Sequence, residues 1–241
     1  MTKSQSPDRD PILDGIEERL KEISYHIAET CAACGRSREE IALMAVTKTV
    51  APVYINHAVQ VGGIRLLGEN RAQELCEKYD DYLLKQKQIH FIGHLQTNKV
   101  RQIIDKVSLI QSVDSLKLAQ EIDRLARKEN RQMEILLEVN IGGEETKSGI
   151  LPEHLFELAK EVSDLEYFRI KGLMAIPPIG DCEVYFGRME ELFHRFREMS
   201  GVEAEILSLG MSGDYKTAIR YGSTMLRLGS AIFGPRNYGI K

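Results

Sequence analysis

The sequence has 241 residues, 43% of them hydrophobic and 28% charged, a balance that supports a buried core and excludes a disordered or fibrous chain. Its 32 basic and 36 acidic residues leave a net charge of -4, which argues against a dominant nucleic-acid or anionic-membrane surface and leaves any anion to a local pocket. No apolar run approaches the roughly 20 residues needed to span a bilayer, and the opening MTKSQSPDRD is polar. The expectation is a cytoplasmic protein whose four cysteines stay reduced.

After a polar tail, expected to be disordered over 1–11, Ile12, Ile16, Leu20, Ile23 and Ile27 recur at steps of three and four and predict an amphipathic helix. Cys31 and Cys34 continue that stripe. Their C-x-x-C spacing therefore reads as two small apolar residues on a buried face rather than a redox pair or half a zinc site, since no second pair follows. Short apolar runs then alternate with helical patterns. The runs predict eight strands, at 41–47, 64–68, 89–92, 107–112, 134–139, 168–174, 206–209 and 224–228. Between them, Asp114 and Ser115 precede Leu118, Ile122 and Leu125, Pro152 stands at a first helical position, and Asp181 precedes Tyr185, Met189, Leu192 and Phe196.

Strands alternating with helices imply parallel pairing, because a parallel connection needs a crossover long enough to hold a helix. Eight such units after an additional N-terminal helix predict an α/β fold, a (β/α)8 TIM barrel formed as one domain over 12–241. An open doubly wound sheet is the rival architecture.

In a parallel barrel the C-terminal strand ends converge on one mouth. The residues due there are Lys48, Asn70, His94, Asn140, Met174, Ser208, Ser212, Arg227, Gly229 and Ser230. Lys48 directly follows a β-branched apolar run. A lysine lifted into a low-dielectric pocket loses preference for its charged form and can form a Schiff base with an aldehyde; the plain alternative is an exposed lysine at a strand exit. Gly229 lets the backbone approach a ligand, and Ser230 can begin a short helix with unpaired N–H groups. Ser212 and Gly213 occupy the matching place after strand seven, so the two turns are either routine or a phosphate cradle. Lysine and cradle together suggest a ligand carrying an aldehyde and a phosphate: pyridoxal 5'-phosphate, or the sugar phosphate of a Schiff-base aldolase.

His90 and His94 are separated by a strand end and a turn, so they do not share a helical face as paired metal ligands do, and no metal site is expected. Lys147, in a loop rich in carboxylates, reads as a solvated lysine or as a secondary amine for cofactor in transit. Asn98 and Lys99 open a helix at the same mouth, where they either meet an anion or simply start the helix.

The segments AVTKT (45–49), GENRAQE (68–74), HFIGHLQTNK (90–99), EVNIGGEETKSG (138–149), GLMAI (172–176), LSLGMSGDY (207–215) and STMLRLGSAIFG (223–234) follow one another in this order. Together they resemble the pyridoxal-phosphate homeostasis protein family, relatives of the N-terminal barrel of alanine racemase also called proline synthase co-transcribed homologues. The resemblance covers nearly the whole chain after the tail. It implies a barrel holding pyridoxal 5'-phosphate as an aldimine of Lys48. The phosphate would rest on Ser212, Gly229 and Ser230, with Ser208 and Gly213 alongside; Arg227 would lie near the pyridine nitrogen or the phosphate, and Asn70 and Met174 would line the ring.

The resemblance further implies a role in intracellular vitamin B6 and amino-acid homeostasis without substantial catalytic activity, with pyridoxal-phosphate-dependent enzymes as recipients of the cofactor. With no partner domain expected, a monomer is the expectation, and the net charge of -4 and lack of a spanning apolar run lead us to expect neither nucleic-acid nor membrane partners. A two-base racemase needs a proton donor on each substrate face, and alanine racemases take the second from an additional C-terminal domain of a partner chain; a sequence ending at Lys241 leaves that domain unexpected. An arginine at the pyridine nitrogen would also disfavour ring protonation and weaken the electron sink. The alternatives are a pyridoxal-phosphate-dependent amino-acid racemase and a Schiff-base aldolase.

Overall fold

Asp10 accepts a hydrogen bond from the Ile12 N–H at 2.9 Å and Pro11 fills the first helical position, so α1 runs Pro11–Ala33. The computed structural model describes residues 10–178, 180–199 and 202–235; of the tail expected to be disordered over 1–11, residues 1–9 lie outside the described residues, whereas Asp10 and Pro11 are the cap and first residue of α1. Ile16, Leu20, Ile23, Ile27 and Cys31 form the buried face of α1, as their spacing predicts. Cys34 departs from that expectation. The helix ends at Ala33, Gly35 turns the chain at φ 72, and Cys34 is an exposed C-cap whose Sγ donates to the Thr30 carbonyl at 3.1 Å. The apolar stripe stops where the helix stops. All four cysteines are free.

The rest of the chain alternates as expected. The order is β1 (Ala42–Val46), α2 (Pro52–Gly62), β2 (Leu66–Glu69), α3 (Ala72–Lys78), β3 (Ile89–Phe91), α4 (Val100–Ile103), β4 (Leu109–Val113), α5 (Leu116–Lys128) and β5 (Met133–Val139). It continues with α6 (Leu155–Ser163), β6 (Phe168–Ala175), α7 (Cys182–Arg197), β7 (Ile206–Ser208), α8 (Tyr215–Arg220), β8 (Met225–Leu228) and α9 (Ser230–Phe233). Each strand is parallel to its neighbours, and β8 returns to β1, with Met44 opposite Arg227, to close the barrel. Closure excludes the open doubly wound sheet. Two strands begin two residues later than their apolar runs, because Ile64 and Val107 are buried before the ladder starts.

Alternation along the strands divides the core in two. Outward-facing Ile110, Ile135, Leu137, Leu207 and Leu226 pack under the helices in one large cluster. Inside the barrel, Met44, Val46, Ile92 and Met225 form a second cluster, and Leu109, Leu136 and Met174 a third. At roughly 25 cal/mol per Å² of apolar area buried, this double-sided burial makes the strands the rigid part from which the loops at their C-terminal ends are hung. α1 lies against α2, α8 and α9 across the β1–β8 seam, where Arg19 Nε donates to the Ile232 carbonyl at 2.7 Å. No helix among the described residues is long and apolar enough to cross a membrane.

Candidate functional site at the barrel mouth

The strand ends of β1, β2, β7 and β8 surround a cavity of about 220 Å³ lined by Lys48, Asn70, Ser212, Gly213, Arg227, Gly229 and Ser230, with Val46, Ile92, Ile176 and Met211 as its apolar surface. Lys48 is placed by the turn that leaves β1. Thr47 before it is fully buried and its Oγ1 donates to Glu69 Oε1 at 2.5 Å, while Tyr82 donates to the same oxygen at 2.5 Å. Burial raises the Glu69 carboxyl above the ordinary carboxylate range, the two hydroxyl donors opposing the shift.

Asn70 follows β2 directly, with its side-chain Oδ1 buried and unpartnered, an acceptor that a donor in the cavity would satisfy. Its place depends on a neighbour. A Cβ at Gly93 would fall 2.1 Å from the Asn70 carbonyl oxygen, so only glycine lets the chain after β3 pass so close.

Across the cavity, Ser212 Oγ accepts from the Gly229 N–H at 3.3 Å and the Ala231 N–H at 3.1 Å, tying the turn after β7 to the one that opens α9. Both lone pairs are then engaged and the hydroxyl proton remains to donate, which favours an acceptor such as an anion oxygen. Neither Gly213 nor Gly229 has a positive φ, a Cβ on Gly213 would meet nothing within 4 Å, and one on Gly229 would only touch Val46 at 3.5 Å. Around Gly213 the chain therefore leaves open space on the cavity side.

Arg227 forms the floor. It is 4% exposed, and its Nη1 donates to Ser208 Oγ at 2.7 Å and its Nη2 to the Ala175 carbonyl at 2.9 Å. Ser208 in turn donates to Gln111 Oε1 at 2.7 Å, and Gln111 Nε2 donates to His90 Nδ1 at 3.1 Å. Each donor points inward from Arg227, which leaves His90 as a neutral acceptor; burial lowers its pKa to about 4. Burial also lowers Arg227 to about 10, opposed by the charges of Glu138 and Asp214, so the guanidinium stays charged at neutral pH. Burial raises Glu138 on the inner face of β5, where Ser148 Oγ donates to its Oε1 at 2.9 Å.

A family model described as "Alanine racemase, N-terminal domain" matches residues 19–237. The pyridoxal phosphate homeostasis protein of Aquifex aeolicus (strain VF5) is 40% identical over 225 residues, covering 92% of this chain and 98% of that protein. The chain belongs to the pyridoxal phosphate homeostasis protein family. Among solved structures, an unknown protein from Bifidobacterium adolescentis matches with a TM-score of 0.84 at 32% identity, covering 95% of this chain and 98% of that one. PipY of Synechococcus elongatus PCC7942, in a structure with PLP bound, matches with a TM-score of 0.72 at 30% identity over 86% of this chain and all of PipY (100%).

In this member of the pyridoxal phosphate homeostasis protein family, seven of the nine residues expected around the cofactor line one cavity. The other two do not. Met174 is fully buried with Leu109 and Leu136 inside the barrel and is not among the residues lining the cavity. Ser208 is buried beneath Arg227 and serves as its support. Asn140 also turns away, holding the loop after β5 by donating to the Glu144 carbonyl at 2.9 Å. His94, Asn98 and Lys147 are exposed, and no group of three or more metal-ligating side chains occurs among the described residues. Sequence reasoning missed Gln111 and His90 as parts of the floor; strict alternation along β3 and β4, extended inward, is the signal that would have found them.

Proposed function

We propose that this chain binds pyridoxal 5'-phosphate at the barrel mouth through a Schiff base on Lys48 and acts as a cytoplasmic, monomeric carrier in vitamin B6 and amino-acid homeostasis, supplying enzymes rather than catalysing turnover. The observation that carries the reading is that Lys48 and the Ser/Gly turns after β7 and β8 line one cavity from opposite sides. The naming of the Aquifex relative and the PLP-bound PipY structure support it.

The residues present suit the cofactor. Lys48 supplies the primary amine, and Ser212, Gly213, Gly229 and Ser230 supply a hydroxyl and close main-chain approach for a phosphate. Asn70 brings its unpartnered Oδ1 to the same space. When bound, the cofactor supplies an aldehyde that condenses with amines and a ring able to accept electron density. Arg227, charged and able only to donate hydrogen bonds, suits an unprotonated ring nitrogen, a setting that favours holding the cofactor over stabilising a carbanion.

Borohydride reduction followed by mass-spectrometric mapping tests the reading. A pyridoxyl adduct on Lys48 is expected; an adduct confined to another lysine refutes it. Rapid stereoinversion of a single amino-acid enantiomer would replace the carrier with a racemase.

A further inference from the structure

Two side chains of α3, paired with each other, reach the backbone at residues 47–49. Glu74 Oε1, on α3, accepts the Thr49 N–H at 2.5 Å and pairs with Lys78 Nζ one helical turn on, also at 2.5 Å. The same ammonium donates to the Thr47 carbonyl at 3.2 Å. The clamp therefore grips the residue on each side of Lys48. Thr49 has φ 63, a left-handed conformation that a β-branched residue adopts only against steric strain. The turn is closed by the Val50 N–H donating to the Thr47 carbonyl at 3.1 Å, and its exposed threonine, with no packing of its own, is held further by the Glu74 acceptor. Both clamp side chains are only 15% exposed, which shields the pair from solvent screening.

We propose that Glu74 and Lys78 are positioning residues for Lys48: the ion pair on α3 holds residues 47–49 in the strained turn that brings residue 48 to the cavity. The inference rests on the reading of Lys48 as the amine that condenses with the aldehyde of pyridoxal 5'-phosphate, losing water. Glu74 and Lys78 are absent from the cavity lining. Their effect is on the presentation of the amine, not on the anion cradle across the cavity.

The test uses the full chain stripped of cofactor, mixed with pyridoxal 5'-phosphate, quenched with borohydride at intervals and mapped by mass spectrometry. Glu74→Gln and Lys78→Met are expected to slow labelling of residue 48 by roughly tenfold or more, the effect of releasing one strained backbone residue. Affinity for pyridoxine 5'-phosphate, which has the phosphate but no aldehyde, is expected to change by less than about twofold, its anion being held elsewhere. Thr49→Asn in the Glu74→Gln background is expected to restore most of the rate, because asparagine tolerates positive φ. Labelling of residue 48 at the wild-type rate in both clamp variants overturns the proposal, as does an equal loss of pyridoxine 5'-phosphate binding. Wild-type protein that labels only elsewhere defeats the cofactor reading itself, a distinguishable result.

Discussion

On the β1 and β2 side of the cavity the chain around Lys48 is held by side chains of neighbouring elements, whereas the turns after β7 and β8 are tied together by main-chain amides. Lys48 stands between Thr47, anchored on the buried Glu69, and Thr49, anchored on Glu74. Ser212, by contrast, is fixed through the amides of Gly229 and Ala231. The difference teaches where each wall is vulnerable. Contacts to carboxylates and an ammonium respond to changes of charge and to pH, while contacts between Ser212 and main-chain amides respond to the loss of that hydroxyl and do not themselves titrate.

The comparison breaks most sharply at residue 48. Lys48→Ala is expected to abolish the visible absorption of bound cofactor and the borohydride adduct at that position, while phosphate-dependent binding persists; equilibrium dialysis alongside the spectrum separates the two. Next in size is Gly93→Ala, whose new Cβ meets the Asn70 carbonyl oxygen at 2.1 Å. A cost of about 1–3 kcal/mol is expected, measured by denaturant unfolding.

Ser212→Ala probes the opposite wall. Losing one hydrogen bond to a charged group, worth about 2 kcal/mol, should weaken pyridoxal 5'-phosphate binding roughly 30-fold and leave unphosphorylated pyridoxal unaffected. Equal losses for both ligands would place the phosphate elsewhere.

The smallest effect is a pH slope on the lysine wall. Burial raises Glu69 above its ordinary value of 4.5. Its contribution to stability is therefore complete below the unfolded pKa and is lost as pH rises through the folded one. Relative to wild type, Glu69→Gln should flatten the stability profile in the window above 4.5, by no more than about 1.4 kcal/mol per pH unit, the limit for one proton. An unchanged slope would mean that Glu69 is not protonated in the folded protein through that window.

Much of the fold was legible because its signals are local. Each of the eight apolar runs contains or overlaps a strand, and the spacing of Ile16, Leu20, Ile23 and Ile27 fixed the buried face of α1. Lys48, Asn70 and the Ser/Gly turns were legible for a related reason: in a parallel barrel every strand exit faces the same mouth. Met174 packs with Leu109 and Leu136 inside the barrel rather than at the cavity, and nothing near residue 174 in the sequence marks how deep it lies below the strand end. Cys34 was misplaced because a 3.6-residue period does not announce its own last turn.

What the sequence determined by itself was periodicity, and with it the alternation of strands and helices and the residues due at the strand ends. What only the tertiary structure decided was which distant residues share a layer. The chain of donors from Arg227 through Ser208 and Gln111 to His90 joins four strands, and the clamp on residues 47–49 reaches from α3 to the exit of β1. Such contacts depend on strand register and helix placement, which closure of the barrel imposes on the whole chain at once and no local pattern encodes.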